Sequence, residues 1–176
     1  TALMKTLLFS VSALLLPLLV ACSDSSSIKV EKLDLEEMLP DELLNAAEEK
    51  IPREQIEGKI LGVYFSASWC PPCRALTSKL VSFHNAHAEE FEVILVGSDE
   101  NQAEQTKYMK EYNMPWLAVS NGGKEAHELA QTFEVRGIPH LAILAPDGNV
   151  LSVEGRQDLE AHGENALDLW KNAAGL

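Results

Sequence analysis

The spacing of apolar residues changes from segment to segment along the 176-residue chain, and this spacing predicts the secondary structure. An apolar run from Ile60 to Phe65 predicts one strand. The near-continuous apolar run from Phe91 to Gly97 is typical of a strand buried on both faces of a sheet. Four other segments carry apolar residues at helical spacing and predict helices. Their apolar positions are Leu76, Leu80 and Phe83; Tyr108, Met109 and Tyr112; Ala126, Leu129, Ala130 and Phe133; and Ala166, Leu169, Trp170 and Ala173.

Shorter signals complete the order of elements. A short strand is predicted at Trp116–Val119 and is followed by a turn at Asn121-Gly122-Gly123. The segments 141–145 and 149–153 flank Pro146-Asp147-Gly148, which predicts a hairpin. Strands that alternate with helices in this order predict an α/β fold, in which a central mixed sheet carries helices on both faces.

Two local patterns make predictions about the ends of elements. The acidic, Leu/Ala-rich segment from Leu33 to Lys50 predicts one or two short helices around Pro40, packed as an N-terminal extension. Asp99 and Gln102 have the spacing of a capping box, so we expect them to begin the helix that carries Tyr108.

The candidate chemistry lies between the first strand and the next helix, where Cys70 and Cys73 are separated by two prolines. A cysteine at a helix N-terminus is surrounded by free backbone N–H groups and the positive end of the helix dipole, and both favour the thiolate. Cys73 lies one turn further on, so it can reach the first sulfur and resolve a mixed disulfide there. We therefore assign nucleophilic attack to Cys70 and resolution to Cys73. Pro71 and Pro72 suit the first helical turn, where N–H groups have no intrahelical partner.

Other functions of a cysteine pair fit this sequence less well. A structural zinc site needs four ligands, and the only other cysteine, Cys22, lies far upstream. Covalent haem attachment needs a histidine directly after the second cysteine, where this chain has Arg74. A buried, inert pair remains an alternative, but it fits poorly with a Trp and two prolines at a turn. Redox chemistry is favoured, and we expect no metal and no cofactor.

Four motifs in this order resemble those of the thioredoxin superfamily, specifically its tryparedoxin and nucleoredoxin-like branch. They are Tyr64-Phe65-Ser66-Ala67-Ser68-Trp69-Cys70-Pro71-Pro72-Cys73-Arg74, Ser98-Asp99-Glu100-Asn101, Met114-Pro115-Trp116-Leu117-Ala118-Val119, and Phe133-Glu134-Val135-Arg136-Gly137-Ile138-Pro139. The resemblance covers roughly residues 57–153. It implies a thioredoxin fold in a domain spanning residues 33–176, and the activity of a thiol–disulfide oxidoreductase.

The resemblance also implies a substrate-binding groove. Only about 5–6% of X–Pro bonds in proteins are cis, so the sequence alone favours a trans bond at Ile138–Pro139. The superfamily's proline at this place is cis and faces the two cysteines, which reverses that expectation. By the same resemblance, the backbone of Ile138 would pair with an extended substrate segment. Trp69 and Trp116 are candidates for the apolar lip of the groove, and core packing is an equal alternative for Trp116.

The chain departs from the wider superfamily at two positions. Many thioredoxins have a buried Asp six residues before the first cysteine, where this chain has Tyr64, so the route of the resolving proton is open. His140 follows Pro139 where Thr is more usual, and it is a candidate for tuning the Cys70 thiolate, although an ordinary strand histidine is the favoured alternative. Arg74 either supports the thiolate by its charge or is simply solvated.

The remaining histidines show weaker patterns. His84 and His87 lie at positions i and i+3 of a helix, a spacing at which both could bind one metal ion, but we favour a solvated helix edge over metal binding. His127 and His162 form no constellation.

The N-terminal segment predicts export. Lys5 is followed by an apolar run from Leu7 to Val20, which is typical of a secretory signal over residues 1–21 and is too short to span a bilayer. Leu19-Val20-Ala21-Cys22 is similar to the lipobox of bacterial lipoproteins, so we expect lipidation at Cys22 rather than simple cleavage. Residues 22–32 then form a polar tether, and the domain is periplasmic or otherwise extracytoplasmic and membrane-associated.

The formal net charge of −13 argues against nucleic-acid binding. We expect a monomer that reduces disulfide-containing proteins, with apocytochromes and a peroxidase among the candidates. Thiols outside the cytoplasm are normally driven to disulfides, so a membrane thiol electron donor is required. A disulfide oxidant or isomerase, and a peptide-binding module with incidental redox activity, remain alternatives.

Overall fold

The structure, a computed structural model, describes residues 32–176. The predicted signal segment, Cys22 and all of the predicted tether except Lys32 lie outside the described residues. The strands are β1 (Glu42–Leu44), β2 (Lys50–Pro52), β3 (Ile60–Ser66), β4 (Phe91–Gly97), β5 (Leu117–Ala118), β6 (His140–Leu144) and β7 (Val150–Ser152). The α-helices are α1 (Leu35–Met38), α2 (Pro71–His87), α3 (Gln102–Glu111), α4 (Lys124–Thr132), α5 (Gly155–His162) and α6 (Ala166–Ala174). Short 3₁₀ turns occupy Arg53–Ile56 and Gly163–Asn165.

One sheet holds the described strands in the order β2-β1-β5-β4-β3-β6-β7. Strand β3 lies inside it, parallel to β4 on one side and antiparallel to β6 on the other. All seven residues of β3 are buried, which explains the apolar run from Ile60 to Phe65. The predicted mixed sheet is therefore confirmed, and both central strands begin at the predicted residues, Ile60 and Phe91.

Alternate residues of β3 point to opposite faces of the sheet and enter two separate hydrophobic clusters. Tyr64 joins the cluster formed with α2, α3 and α6, whereas Val63 and Phe65 join the cluster formed with α4. Helices therefore cover both faces, as predicted. The end of β3 leads directly into α2, and this connection places the cysteine pair at one edge of the sheet.

The prediction for the N-terminal extension is wrong after Pro40. Only α1 is helical, and the chain then forms the hairpin β1–β2, which extends the sheet through the pairing of Leu44 with Ala118. The Asn45 side chain holds the turn, because its Oδ1 accepts hydrogen bonds from the N–H groups of Ala47 and Glu49. Leu43 is completely buried against the core. Sheet pairing and burial outweigh the local helix propensity of this Leu/Ala-rich segment.

The C-terminal helices also differ from expectation. Leu169, assigned to the buried face of the last helix, is exposed, and Leu167 is buried in its place. The sequence of helix α5 lacks a repeated apolar spacing that would predict a helix, because its residues are mostly polar and, of its large apolar side chains, Leu159 alone packs against the core. Between residues 32 and 176, no helix combines the length and apolar character needed to cross a bilayer.

Candidate active site

Cys70 and Cys73 lie at the start of α2 and are joined by a disulfide. Cys70 is the N-cap residue, and its sulfur accepts a hydrogen bond from the Cys73 N–H at 3.3 Å. Pro71 and Pro72 occupy the first turn, where their missing N–H groups cost no intrahelical hydrogen bond. Cys70 retains 4% of its accessible surface and Cys73 retains none, so a partner from solvent reaches the Cys70 sulfur first.

The start of α2 favours a negative charge on the Cys70 sulfur. The first turn contains no acidic residue, and the Cys73 N–H already points at this sulfur. A thiolate at this place gains from both the N–H group and the positive end of the helix dipole. Arg74 directs its guanidinium elsewhere, because its Nη1 donates to the Ser68 carbonyl oxygen at 2.9 Å. Arg74 therefore braces the loop that precedes the cysteines.

The loop before β6 faces the cysteines. The Ile138–Pro139 peptide bond is cis, which confirms the expectation from the resemblance over the expectation from base rates. The Cys70 sulfur lies 3.9 Å from the Ile138 carbonyl oxygen. A disulfide sulfur carries no hydrogen, so this separation is a contact and not a hydrogen bond. The backbone of Ile138 is thus beside the more accessible cysteine, where an extended partner segment would lie.

A groove of about 460 Å³, here called the Trp69 groove, opens beside this contact. Trp69 forms one wall and is 61% exposed, which is unusual for so large an apolar side chain. Asp99, Ala126, Arg136 and Ile138 are among the other lining residues. The predicted lip residue Trp116 is not among them. It is 1% exposed in the core and packs edge-to-face against His84, so core packing is the correct alternative.

Asp99 anchors the Trp69 loop and does not form the predicted capping box. Its Oδ1 accepts hydrogen bonds from the Ser68 N–H at 2.8 Å and the Ser68 hydroxyl at 2.6 Å. Next to it, the Trp69 indole N–H donates to the Ser98 carbonyl oxygen at 2.9 Å. Helix α3 is instead capped by Asn101, whose side chain accepts from the Glu104 N–H. The sequence identified this acidic loop but not its contact with the cysteine loop.

A group of buried hydroxyls, here called the hydroxyl cluster, lies under Cys73. It comprises Tyr64, Ser66, Thr77 and Tyr108, which come from β3, α2 and α3. Tyr64 holds the position where an Asp is common in the superfamily, and its hydroxyl donates to the Cys73 carbonyl oxygen at 2.9 Å. Burial raises the pKa of the Tyr64 phenol and the pKa of the Tyr108 phenol, so both stay protonated at neutral pH. Sequence reasoning identified Tyr64 and missed the other three.

His140 lies on the other side of the sheet from α2. It pairs with Phe65 across the β3–β6 ladder and its ring packs against the Phe65 ring, so both side chains share the α4 face. Burial lowers the pKa of His140, partly opposed by the charge of Glu154. This placement agrees with an ordinary strand histidine, which is the alternative that the sequence favours.

The prediction of a solvated edge at His84 is wrong. His84 is 5% exposed, and its Nε2 forms a 2.9 Å hydrogen bond with Glu92 Oε1. Burial by itself would raise the pKa of Glu92, but hydrogen bonds from His84 and the Val93 N–H, with the charges of His84 and Lys59, lower it. In the described part of the chain, no three His, Cys, Asp or Glu side chains are grouped as a metal site.

Comparisons with known proteins place the chain among its relatives. A family described as thioredoxin-like matches residues 58–150, which is just over half of the chain. A probable nucleoredoxin 1 from Arabidopsis thaliana is 41% identical over 145 residues, covering 78% of this chain and 25% of that protein. The chain thus spans about a quarter of the length of this curated relative.

Solved tryparedoxins are similar over most of their own length. Tryparedoxin from Trypanosoma brucei has 34% sequence identity and a TM-score of 0.69, covering 77% of this chain and 96% of that chain. Tryparedoxin II from C. fasciculata has 36% identity and a TM-score of 0.68, covering 74% of this chain and 89% of that chain. Fold and sequence therefore point to the same group of proteins.

The Asp99 anchor generates a first prediction. We expect Asp99→Ala to lower the free energy of unfolding by about 1–3 kcal/mol, because it leaves the part-buried N–H and hydroxyl of Ser68 without their acceptor. Chemical denaturation measures this change. Glu100→Ala is the matched control, since Glu100 is exposed and its removal should cost less than about 0.5 kcal/mol. Equal stability of the two variants would contradict the anchoring role.

Proposed function

Because this chain belongs to the thioredoxin-like family, in its tryparedoxin and nucleoredoxin branch, we propose that it is an exported reductase of partner disulfides. Membership of the family makes it a thiol–disulfide oxidoreductase. The proposal adds the direction of electron flow, the roles of the two cysteines and the compartment. The observation that carries it is the contact of the Cys70 sulfur with the Cys73 N–H on one side and the Ile138 carbonyl oxygen on the other.

The proposed reaction proceeds in two exchanges. In the reduced protein, the Cys70 thiolate attacks one sulfur of a partner disulfide, so a Cys70–partner bond forms and the partner's bond breaks. The first partner sulfur leaves as a thiolate and takes up a proton. Cys73 then loses its proton and attacks the Cys70 sulfur, which releases the second partner thiol. The partner gains two electrons and two protons, and the pair becomes the Cys70–Cys73 disulfide found in this structure.

The groove supports binding of an extended partner segment. Ile138 precedes β6 and lies beside the Cys70 sulfur, so a partner strand could hydrogen-bond to its backbone while presenting a disulfide to Cys70. The exposed ring of Trp69 offers an apolar surface on the other side of the attack site. Hydrogen bonds to the backbone of a partner depend little on its side chains, so a site of this kind would accept partners of different sequence. We propose disulfide-containing proteins as substrates, with apocytochromes and a peroxidase as candidates, and no binding of nucleic acid.

The two roles can be separated by trapping. We expect reduced Cys73→Ala to accumulate a mixed disulfide with insulin at Cys70, because attack remains possible and resolution does not. Non-reducing electrophoresis detects the adduct, and steady-state insulin reduction should be abolished. Cys70→Ala is the matched control and should form no adduct. Trapping by Cys70→Ala but not by Cys73→Ala would reverse the assignment.

Export and anchoring are the second part of the proposal. The lipobox-like residues ending at Cys22 support lipidation, which would hold a monomeric domain at a membrane surface through a polar tether. Each turnover leaves the Cys70–Cys73 pair as a disulfide, and the thiol systems that keep cysteines reduced act in the cytosol. Outside the cytoplasm, a membrane thiol carrier would therefore have to return the electrons.

Lipidation predicts a clear fractionation result. In a bacterial host, the full chain should incorporate labelled palmitate and sediment with membranes, whereas Cys22→Ala should lose the label. Ser23→Ala is the neighbouring control and should behave as the wild type. Equal labelling of the Cys22→Ala chain and the wild type would exclude Cys22 as the anchor.

A further inference from the structure

The hydroxyl cluster makes an unusual set of contacts around one backbone oxygen. Tyr64 Oη lies 2.9 Å from the Cys73 carbonyl oxygen and 2.9 Å from Thr77 Oγ1. Thr77 Oγ1 lies 3.0 Å from the same carbonyl oxygen and 2.6 Å from Tyr108 Oη. Tyr108 Oη lies 3.0 Å from Ser66 Oγ. All four side chains belong to residues that are at least 95% buried, so water does not compete for these contacts.

The direction of the hydrogen bonds follows from counting protons. Each hydroxyl has one proton to donate, and the carbonyl oxygen can only accept. Tyr64 and Thr77 both donate to the Cys73 carbonyl oxygen. Thr77 then has no second proton, so Tyr108 is the donor in its contact with Thr77, and Ser66 donates to Tyr108 in turn. The chain of donors therefore ends on the Cys73 carbonyl oxygen.

The cluster has no base at its far end that would take up a proton. Burial raises the pKa values of the Tyr64 and Tyr108 phenols, and Ser66 is an ordinary alcohol, so each member remains a neutral donor. This chain of hydroxyls therefore contains no group that would accept a proton released by Cys73. The cluster is therefore suited to holding Cys73 in place and not to accepting its proton.

Cys73 is held at both ends of its backbone. Its N–H donates to the Cys70 sulfur, and its carbonyl oxygen accepts from the cluster. The covalent link to Cys70 is absent while Cys70 is bound to a partner, so noncovalent contacts then determine where the Cys73 sulfur lies. Intramolecular attack depends steeply on this geometry, because a displacement of about 1 Å can cost about 100-fold in rate.

We propose that Tyr64, Thr77 and Tyr108 are positioning residues for the resolving step: they fix the first turn of α2 so that Cys73 attacks the mixed disulfide at Cys70 quickly. The inference rests on the order of attack and resolution proposed above. It assigns a function to residues from three separate elements that the chemistry of the two thiols does not itself require.

The test separates the two exchanges in one reaction. Reduced protein mixed with dithiobis-nitrobenzoate should release one coloured thiolate as Cys70 attacks and a second as Cys73 resolves the adduct. The first phase depends on reagent concentration, and the second does not. Two phases in the wild type support the proposed order, and a single phase with one equivalent released would overturn that order.

The variants then test the positioning role. We expect Thr77→Val, Tyr64→Phe and Tyr108→Phe each to slow the second phase about 3- to 10-fold, as the loss of one hydrogen bond implies, and to leave the first phase unchanged. Thr77→Ser keeps the hydroxyl and should restore the second phase. Tyr112→Phe is the matched control, since its ring packs against Tyr108 and its hydroxyl lies outside the cluster.

A purely structural role gives a different result. Folded Thr77→Val and Tyr108→Phe proteins that are less stable to denaturant but show the wild-type second phase would overturn the inference. The Thr77→Val and Thr77→Ser pair also guards against misfolding, because Thr77→Val replaces the hydroxyl by a methyl group of similar size, whereas Thr77→Ser keeps the hydroxyl and removes the methyl group.

Discussion

The hydrogen bond from the Cys73 N–H to the Cys70 sulfur is the interaction on which the rest of this site depends. It places the attacking sulfur at the start of α2, where the peptide dipoles favour negative charge, and it keeps the second cysteine within one turn of the first. The surrounding structure serves to hold that helix start in position. Strand β3 leads directly into the start of α2, the Ile138 loop faces this start, and the hydroxyl cluster lies beneath it.

Three loops from different parts of the chain meet at this point because of the sheet order. Parallel strands β3 and β4 end at the same edge, so the loop that follows each strand lies beside the other. The antiparallel strand β6 begins at that edge, which brings Ile138 opposite Cys70. Asp99 then joins the first two loops through Ser68. The exposed Trp69 is held in this framework by its own indole N–H.

The parts of the fold that the sequence predicted are those whose signal is local. The central strands were recognised because burial on both faces leaves a continuous apolar run, and the cysteine pair was recognised by its spacing. The hairpin β1–β2 was not, because its sequence favours a helix, and the pairing of β1 with β2 and with Ala118 is a tertiary effect that no local pattern shows. The anchoring role of Asp99 was also missed, since Ser68 lies 31 residues away and no local pattern links the two. From sequence, Tyr108 is predictable only as an apolar helix position, because an aromatic hydroxyl on a helix gives no sign of what it will contact.

The most direct test of the central claim, that this protein is a reductant, is the equilibrium reduction potential of the Cys70–Cys73 pair. Trp69 adjoins Cys70, so its fluorescence in graded thiol buffers should report the ratio of dithiol to disulfide. For a reductant we expect a value close to that of thioredoxin, about −270 mV, which suits a protein supplied with electrons by a membrane carrier. A value close to about −120 mV, at the oxidising end of the family's range, would make the protein a disulfide donor and contradict the proposed direction.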